Sequence, residues 1–374
     1  MNAYQLYRQL LFAKADSRGV PLSGTFELTA RCNLDCKMCY IHRRANDAAA
    51  LRAERTAAEW LRLAEECCRA GTLLLLLTGG EPLLRPDFRE IYTGCKKLGL
   101  MLSINTNATL LDERMADFLA ADAPSRVNIT LYGAFPDTYA ALCGDPSAHA
   151  RALRAIELLQ SAGVPVKLNC SVTPYNRRDA GAIYAFAREH GLPIQTASYM
   201  FPPVRACEHG CFSAERLSSD EAAEEKLRSD LARFTPDELA ERWGTLLRGE
   251  AVADPTGECQ ELPTERIRCR AGSSTFWVTW DGQLRPCGML TSPTLPLTPG
   301  GFAEAWQRIR AARERILLPA QCTACSMKNA CDQCAAVCQA ETGEFTGVPE
   351  YMCRQTERYL QRVREEYDKL QQKN

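Results

Sequence analysis

Between about Gly24 and Met200 the chain repeats one unit six times, a short apolar run followed by a longer helical pattern. That alternation restricts the segment to parallel strands joined by crossover helices. The strand candidates are Thr25–Thr29, Leu73–Thr78, Met101–Asn105, Arg126–Leu131, Val166–Val172 and Ile194–Tyr199. Six such units suit an α/β fold, an open, partial (β/α)6 barrel of TIM-like type. The first long helix shows its own limits: Thr56-Ala-Ala-Glu59 is a capping box and Gly71 supplies a stop. Trp60, Leu63, Ala64 and Cys67 share a face of it, so Cys67 is expected in the core.

Chemistry enters where the first strand ends. Arg31 to Tyr40 reads Arg-Cys-Asn-Leu-Asp-Cys-Lys-Met-Cys-Tyr, a C-x3-C-x2-C set at Cys32, Cys36 and Cys39. Three thiolates on one short loop can hold three corners of an iron–sulfur cube and leave one iron open. A cluster with four protein ligands mainly passes electrons, whereas one with a free site can bind and reduce a small molecule. Structural zinc, the lesser reading, closes with four ligands from paired Cys or Cys/His units. Apart from His42, no fourth Cys or His sits beside this loop.

With this spacing the sequence resembles the radical SAM superfamily, whose open iron chelates the amino and carboxylate groups of S-adenosylmethionine. The resemblance places Met38 near the adenine, a mild departure from the aromatic residue most members carry there. It also gives meaning to Thr78-Gly79-Gly80-Glu81-Pro82 at the end of the second strand. Two glycines let the backbone approach a ligand closely, and Glu81 offers a carboxylate to an ammonium group; the motif resembles the family's site for the methionine amino group. By the same resemblance Asn107 lies near the cofactor and Thr130 turns a hydroxyl toward the cofactor carboxylate. Arg151 would pair with that carboxylate bidentately, the alternative being a solvated helix residue. Ser171 would reach the ribose unless it is bonded locally.

The chain has 374 residues, enough for one large α/β domain and a smaller one. Its 45 basic and 46 acidic residues leave a net charge of −1, which disfavours a nucleic-acid partner. Residues 1–25 lack a signal-peptide pattern, and Leu73 to Leu77 is only a strand's length of apolar sequence, so no membrane span is expected. With 19 cysteines in a chain too long for a disulfide scaffold, a cytoplasmic, reducing setting is expected, with thiolates reserved for metal.

Four segments follow: an N-terminal helix at 1–23, the barrel at 24–205, a helical connector at 206–265, and a small cysteine-rich α+β domain at 266–374. The last opens on a hairpin, Phe276–Trp280 and Gln283–Arg285 about Asp281-Gly282. It closes on a charged helix, roughly Arg354 to Gln372, whose Tyr359, Val363, Tyr367 and Leu370 form a docking stripe. It also carries eight thiols, at Cys269, Cys287, Cys322, Cys325, Cys331, Cys334, Cys338 and Cys353. The arrangement resembles the SPASM extension of radical SAM enzymes. In that family Cys322, Cys325, Cys331 and Cys353 would bind an outer auxiliary cluster. An inner one would use Cys269 and Cys287 with Cys334 and Cys338, or with Cys259 in place of one of them. Zinc in one of these sites is the alternative. Cys207 and Cys211, flanking His209, are left over, and Cys95, Cys143 and Cys170 read as small buried side chains.

The resemblance implies three [4Fe-4S] clusters, S-adenosylmethionine, and an electron donor such as flavodoxin or ferredoxin. The activity implied is reductive cleavage to a 5′-deoxyadenosyl radical and oxidation of a precursor peptide or protein, by cross-linking or dehydrogenation. About 24 residues precede the first strand, too few for a leader-recognition domain, so a separate peptide-recognition protein is expected. Gly288 follows Cys287 where sulfatase-maturing relatives carry a basic Asp, which disfavours that activity. The competing readings are a peptide epimerase, a small-molecule or cofactor-precursor enzyme, and an electron-transfer protein.

Overall fold

The structure, a computed structural model, describes residues 3–41, 43–202, 215–252 and 265–372. Cys207, His209, Cys211 and Cys259 lie outside the described residues, as does His42. Six strands form where the apolar runs predict them: β1 Ser23–Glu27, β2 Leu74–Thr78, β3 Met101–Thr106, β4 Arg126–Thr130, β5 Val166–Ser171 and β6 Ile194–Ala197. Each pairs in parallel with the next, as crossover helices require. The capping box of Thr56 and Glu59 is present and starts the helix Ala57–Arg69.

The sheet does not stop at β1. A seventh parallel strand, β7 Thr275–Val278, pairs with it, followed by antiparallel β8 Gln283–Arg285 and β9 Leu295–Pro296. The order is β9-β8-β7-β1-β2-β3-β4-β5-β6. The expected hairpin therefore forms, but as a continuation of the barrel sheet, and Phe276 and Val278 bury in the barrel's own core. The expected division between 205 and 266 is crossed by this sheet. The connector likewise has a packing role. Its helical stretch breaks at Phe234, where a second capping box, Thr235 with Glu238, and Pro236 start a new helix. Helices Ser219–Arg233 and Pro236–Leu247 pack with Glu350–Gln371 around Trp243, Tyr359 and Val363, so the terminal stripe docks as predicted.

Alternation along the strands separates two environments. One face carries Phe26, Leu75, Leu77, Leu102, Ile104, Val127, Ile129, Leu168 and Cys170 into the core beneath the helices, where Cys67 and Cys95 also lie. The other face is mainly polar, with Thr25, Glu27, Ser103, Asn105, Asn128, Thr130, Lys167, Asn169 and Ser171, and with Leu74 and Leu76 of β2 as its apolar members. Asn128 donates to Asn105 Oδ1 at 2.7 Å, and Lys167 donates to Gln195. A closed TIM barrel fills this face with branched apolar side chains; here they are confined largely to β2. No helix among the described residues is long and apolar enough to cross a membrane.

Candidate cofactor and cluster sites

The three-cysteine loop lies at the C-terminal end of β1 and is tied down from two sides. Asp35 N–H donates to the Cys143 carbonyl and Lys37 N–H to that of Leu142, both at 3.0 Å, which fixes the loop against the end of helix Pro136–Cys143. From the other side Asn107 Nδ2 reaches Cys32 Sγ at 3.6 Å and Asn33 Oδ1 at 3.1 Å. Asn33 in turn donates to Thr109 at 2.8 Å. Met38, Cys32, Cys39, Tyr132 and Tyr175 pack around buried Cys36, Tyr139 and Cys143. The thiol of Cys36 is pushed up first by the Cys143 thiol beside it and then by burial. Cys143 is buried as the sequence predicts, and it also abuts the loop.

Gly79 and Gly80 are required by the protein's own backbone. Gly80 N–H donates to the Thr29 carbonyl at 2.8 Å and Glu81 N–H to that of Arg31 at 2.9 Å. A Cβ on Gly79 would stand 2.4 Å from the Thr29 oxygen, and one on Gly80 2.4 Å from that of Arg31. Gly79 also has φ of +151°. The close approach read from the sequence is thus an approach to the strand leading into the cysteine loop. Gly80→Ala is expected to cost about 1–3 kcal/mol through overpacking and to lower iron retention. A denaturant melt paired with an iron assay checks both.

Glu81 is fully buried, and three donors meet its carboxylate: Leu83 N–H at 2.9 Å and Thr106 Oγ1 at 2.7 Å on Oε1, and Asn107 N–H at 2.8 Å on Oε2. Burial pushes its carboxyl from 4.5 up to about 7, against the pull of those donors. In the folded chain the proton is held more tightly than in the unfolded chain. Glu81's contribution to stability is therefore full below about 4.5 and is lost as pH rises through about 7. Thermal melts of the metal-free protein should show that decline, and Glu81→Gln should flatten it.

The other expected contacts are more scattered. Thr130 and Ser171 end β4 and β5, half-buried on the polar face; the Ser171 carbonyl accepts from Asn176 at 2.9 Å. Arg151, on helix Ser147–Ser161, is paired with Asp145 and its side chain is 43% exposed. To reach a ligand at the loop it must first release Asp145. A buried ionic group beneath the loop has no sequence signal. Arg31 donates to both oxygens of Glu54, at 2.7 and 3.1 Å, and Arg85 lies 3.5 Å from Glu54 and 2.6 Å from Asp87.

The eight C-terminal thiols divide unequally. Cys269, Cys287 and Cys334 share one apolar cluster with Ile267, Leu290, Ile316 and Phe201. Cys322, Cys325, Cys331 and Cys353 line a separate pocket with Arg268 and Gln333. Cys338 belongs to neither the apolar cluster nor the pocket lining. It is fully buried, and Gln333 Nε2 donates to its sulfur at 2.9 Å. Of the two thiols expected at the inner site, Cys334 packs with Cys269 and Cys287, and Cys338 is not part of that cluster. Cys334 is the N-cap of helix Ala335–Thr342, and its carbonyl accepts the Cys338 N–H at 3.0 Å.

The chemistry of these donor sets fits iron–sulfur clusters. In each group one sulfur accepts a backbone N–H from two residues on: Leu34 to Cys32, Met289 to Cys287 and Met327 to Cys325, each at 3.4 Å. Such bonds support a thiolate ligand. Arg268 brings a cation to the outer pocket, and its buried Nε has no partner among the described residues. Among those residues no three Cys, His, Asp or Glu side chains converge on a point for a single ion.

An open parallel barrel, with a three-thiol loop at the end of its first strand and a Gly-Gly-Glu turn at the end of its second, is the framework of an iron–sulfur enzyme that uses S-adenosylmethionine. The chain belongs to the radical SAM superfamily, whose family description matches residues 26–187. It is 28% identical over 329 residues to an AdoMet-dependent heme synthase from Methanosarcina barkeri (strain Fusaro / DSM 804), covering 86% of this chain and 93% of that one. It is 30% identical over 300 residues to a probable GTP 3′,8-cyclase from Methanopyrus kandleri, covering 79% and 88%. Its SPASM-type fold matches native anSMEcpe with bound AdoMet and Cp18Cys peptide, at a TM-score of 0.65 and 18% identity over 93% of this chain and 99% of that one. Membership implies a [4Fe-4S] cluster and S-adenosylmethionine.

Proposed function

We propose that this radical SAM enzyme oxidises a peptide or protein held against the polar face of the open barrel. Cys32, Cys36 and Cys39 hold the cluster that binds S-adenosylmethionine, with Met38, Gly79, Gly80, Glu81, Asn107, Thr130, Arg151 and Ser171 around the cofactor. When bound, that pair supplies a 5′-deoxyadenosyl radical. Helix Pro136–Cys143 and Asn107 hold the loop in place, and the barrel walls keep water from the reacting carbon. Cys269, Cys287 and Cys334 in one group and Cys322, Cys325, Cys331 and Cys353 in the other would hold auxiliary clusters, whose chemistry would be electron acceptance, with a flavodoxin or ferredoxin as electron donor to the first cluster.

The observation that carries the peptide reading is the polar face. Asn105, Asn128, Asn169 and Gln195 present carboxamides, which match the donors and acceptors of a peptide backbone. A sulfatase-type base has no room. A Cβ on Gly288 would stand 2.8 Å from the Trp277 ring, whose Nε1 donates to Glu27 at 2.7 Å. A second reading, a tetrapyrrole substrate, is favoured by the end-to-end similarity to a heme synthase.

Anaerobic incubation with reductant and S-adenosylmethionine separates the two. A short peptide encoded beside this reading frame should lose hydrogen and form a cross-link or double bond. Deuterium uptake at an α-carbon would instead mark epimerisation. Formation of heme from an iron tetrapyrrole precursor with no change in any peptide would replace the peptide reading by the tetrapyrrole one.

A further inference from the structure

We propose that Arg268 sets the reduction potential of the outer auxiliary cluster and so makes that site the resting place of an electron received from the inner one. This rests on the reading of the C-terminal thiols as cluster ligands and deepens it, because it assigns a direction to electron flow between the two sites.

Arg268 stands between those sites. Its chain neighbours Ile267 and Cys269 pack in the apolar cluster with Cys287 and Cys334. Arg268 itself lines the pocket of Cys322, Cys325, Cys331 and Cys353. Its Nε is buried and has no hydrogen-bond partner among the described residues. A buried donor left unpaired is costly, and a cube bound by thiolates is an anion that would relieve it.

The surrounding charges leave that guanidinium unopposed. The pocket is also lined by Lys328 and by no Asp or Glu. Lys328 is engaged through Nζ with the Thr323 carbonyl at 3.1 Å. Asp332 and Glu350, the carboxylates closest in the chain to Cys331 and Cys353, are exposed and paired with Lys226 and Arg354, so they offset little of its field. At the inner set Arg313 is differently placed. Its guanidinium donates to the Ala271, Ile267 and Cys269 carbonyls at 2.8, 2.9 and 3.1 Å and to Glu314 at 3.1 Å, so its charge is already matched.

Reduction by one electron adds a negative charge to a cluster, and a fixed positive charge in a buried site stabilises that state more than the oxidised one. A guanidinium suits this because it stays protonated at any working pH. One electron moves from the inner site to the outer; no bond is made or broken and no proton is transferred.

The test uses the full chain carrying Cys32→Ala, Cys36→Ala and Cys39→Ala, reconstituted anaerobically, so that iron and EPR signals report the C-terminal thiols alone. Redox titration followed by EPR gives the potential of each auxiliary cluster, and the couple that vanishes in Cys322→Ala is the outer one. Arg268→Gln should lower that potential by about 59 mV or more, a tenfold shift in a one-electron equilibrium, with iron content unchanged and the inner couple moved less. Arg268→Lys, which keeps the charge, should restore most of the parent's potential. An outer couple unmoved in Arg268→Gln, or lowered equally in Arg268→Lys, overturns the proposal, and so does a larger shift of the inner couple. If Arg268→Gln loses iron, Arg268→Met takes its place; iron loss from both also overturns the proposal, because the guanidinium would then assemble the cluster rather than set its potential. A parent that binds no iron, or whose couples all survive Cys322→Ala, refutes instead the reading of these thiols as cluster ligands.

Discussion

Cys32→Ala is expected to reduce 5′-deoxyadenosine formation to the level of a protein-free control and to remove about four irons per chain. Two donors are aimed at the Cys32 thiol: Leu34 N–H and Asn107 Nδ2 both point at its sulfur, at 3.4 and 3.6 Å. No donor among the described residues on that side can take its place, because Asn33, Asn107 and Thr109 are engaged with one another. Two iron ligands would remain, too few to hold a cube against dissociation. Cys143→Ala provides the contrast. That thiol lies in the same apolar cluster, but the loop is bound to residue 143 through its backbone carbonyl, so alanine there should retain the iron. Anaerobic reconstitution, an iron assay and chromatographic detection of 5′-deoxyadenosine measure both variants.

Glu54→Ala should destabilise the metal-free protein by about 3–5 kcal/mol, the cost of removing one partner from a buried ion pair. Arg31, Arg85 and Glu54 have side chains only 9%, 4% and 7% exposed, so water cannot replace the lost carboxylate. Arg31 keeps the Ala45 carbonyl, and Arg85 keeps Asp87 and the Leu28 carbonyl. The hydroxyl of Thr29, which donates to Glu54, loses its acceptor. Arg31 immediately precedes Cys32, and its carbonyl accepts the Glu81 N–H, so the loop should loosen as the pair is broken. A denaturant melt that moves by less than about 1 kcal/mol would show that the network contributes far less than a buried pair should.

Much of the fold was legible in local pattern. The six apolar runs became β1 to β6 with ends shifted by one or two residues, and the Thr56 capping box formed as written. These depend on periodicity and on hydrogen bonds between near neighbours, which travel with the sequence. The seventh parallel strand was not legible. Thr275–Val278 reads as half of a hairpin, and nothing in its residues says that its other edge will find Ser23–Glu27 some 250 positions earlier. The Glu54 network was invisible for the same reason, because Arg31, Glu54 and Arg85 lie in three different patterns.

The sequence by itself determined the parallel barrel, the three-thiol loop and the class of chemistry they imply, since spacing within ten residues fixes what a short loop can bind. Only the tertiary structure decided what Gly79 and Gly80 make room for, which donors hold Glu81, and that Cys269, Cys287 and Cys334 cluster apart from Cys322, Cys325, Cys331 and Cys353. Those depend on distances between chain segments that no local spacing encodes. The case is clearest at Cys331 and Cys334: three residues apart, the first lines the pocket with Cys322, Cys325 and Cys353 and the second packs with Cys269 and Cys287.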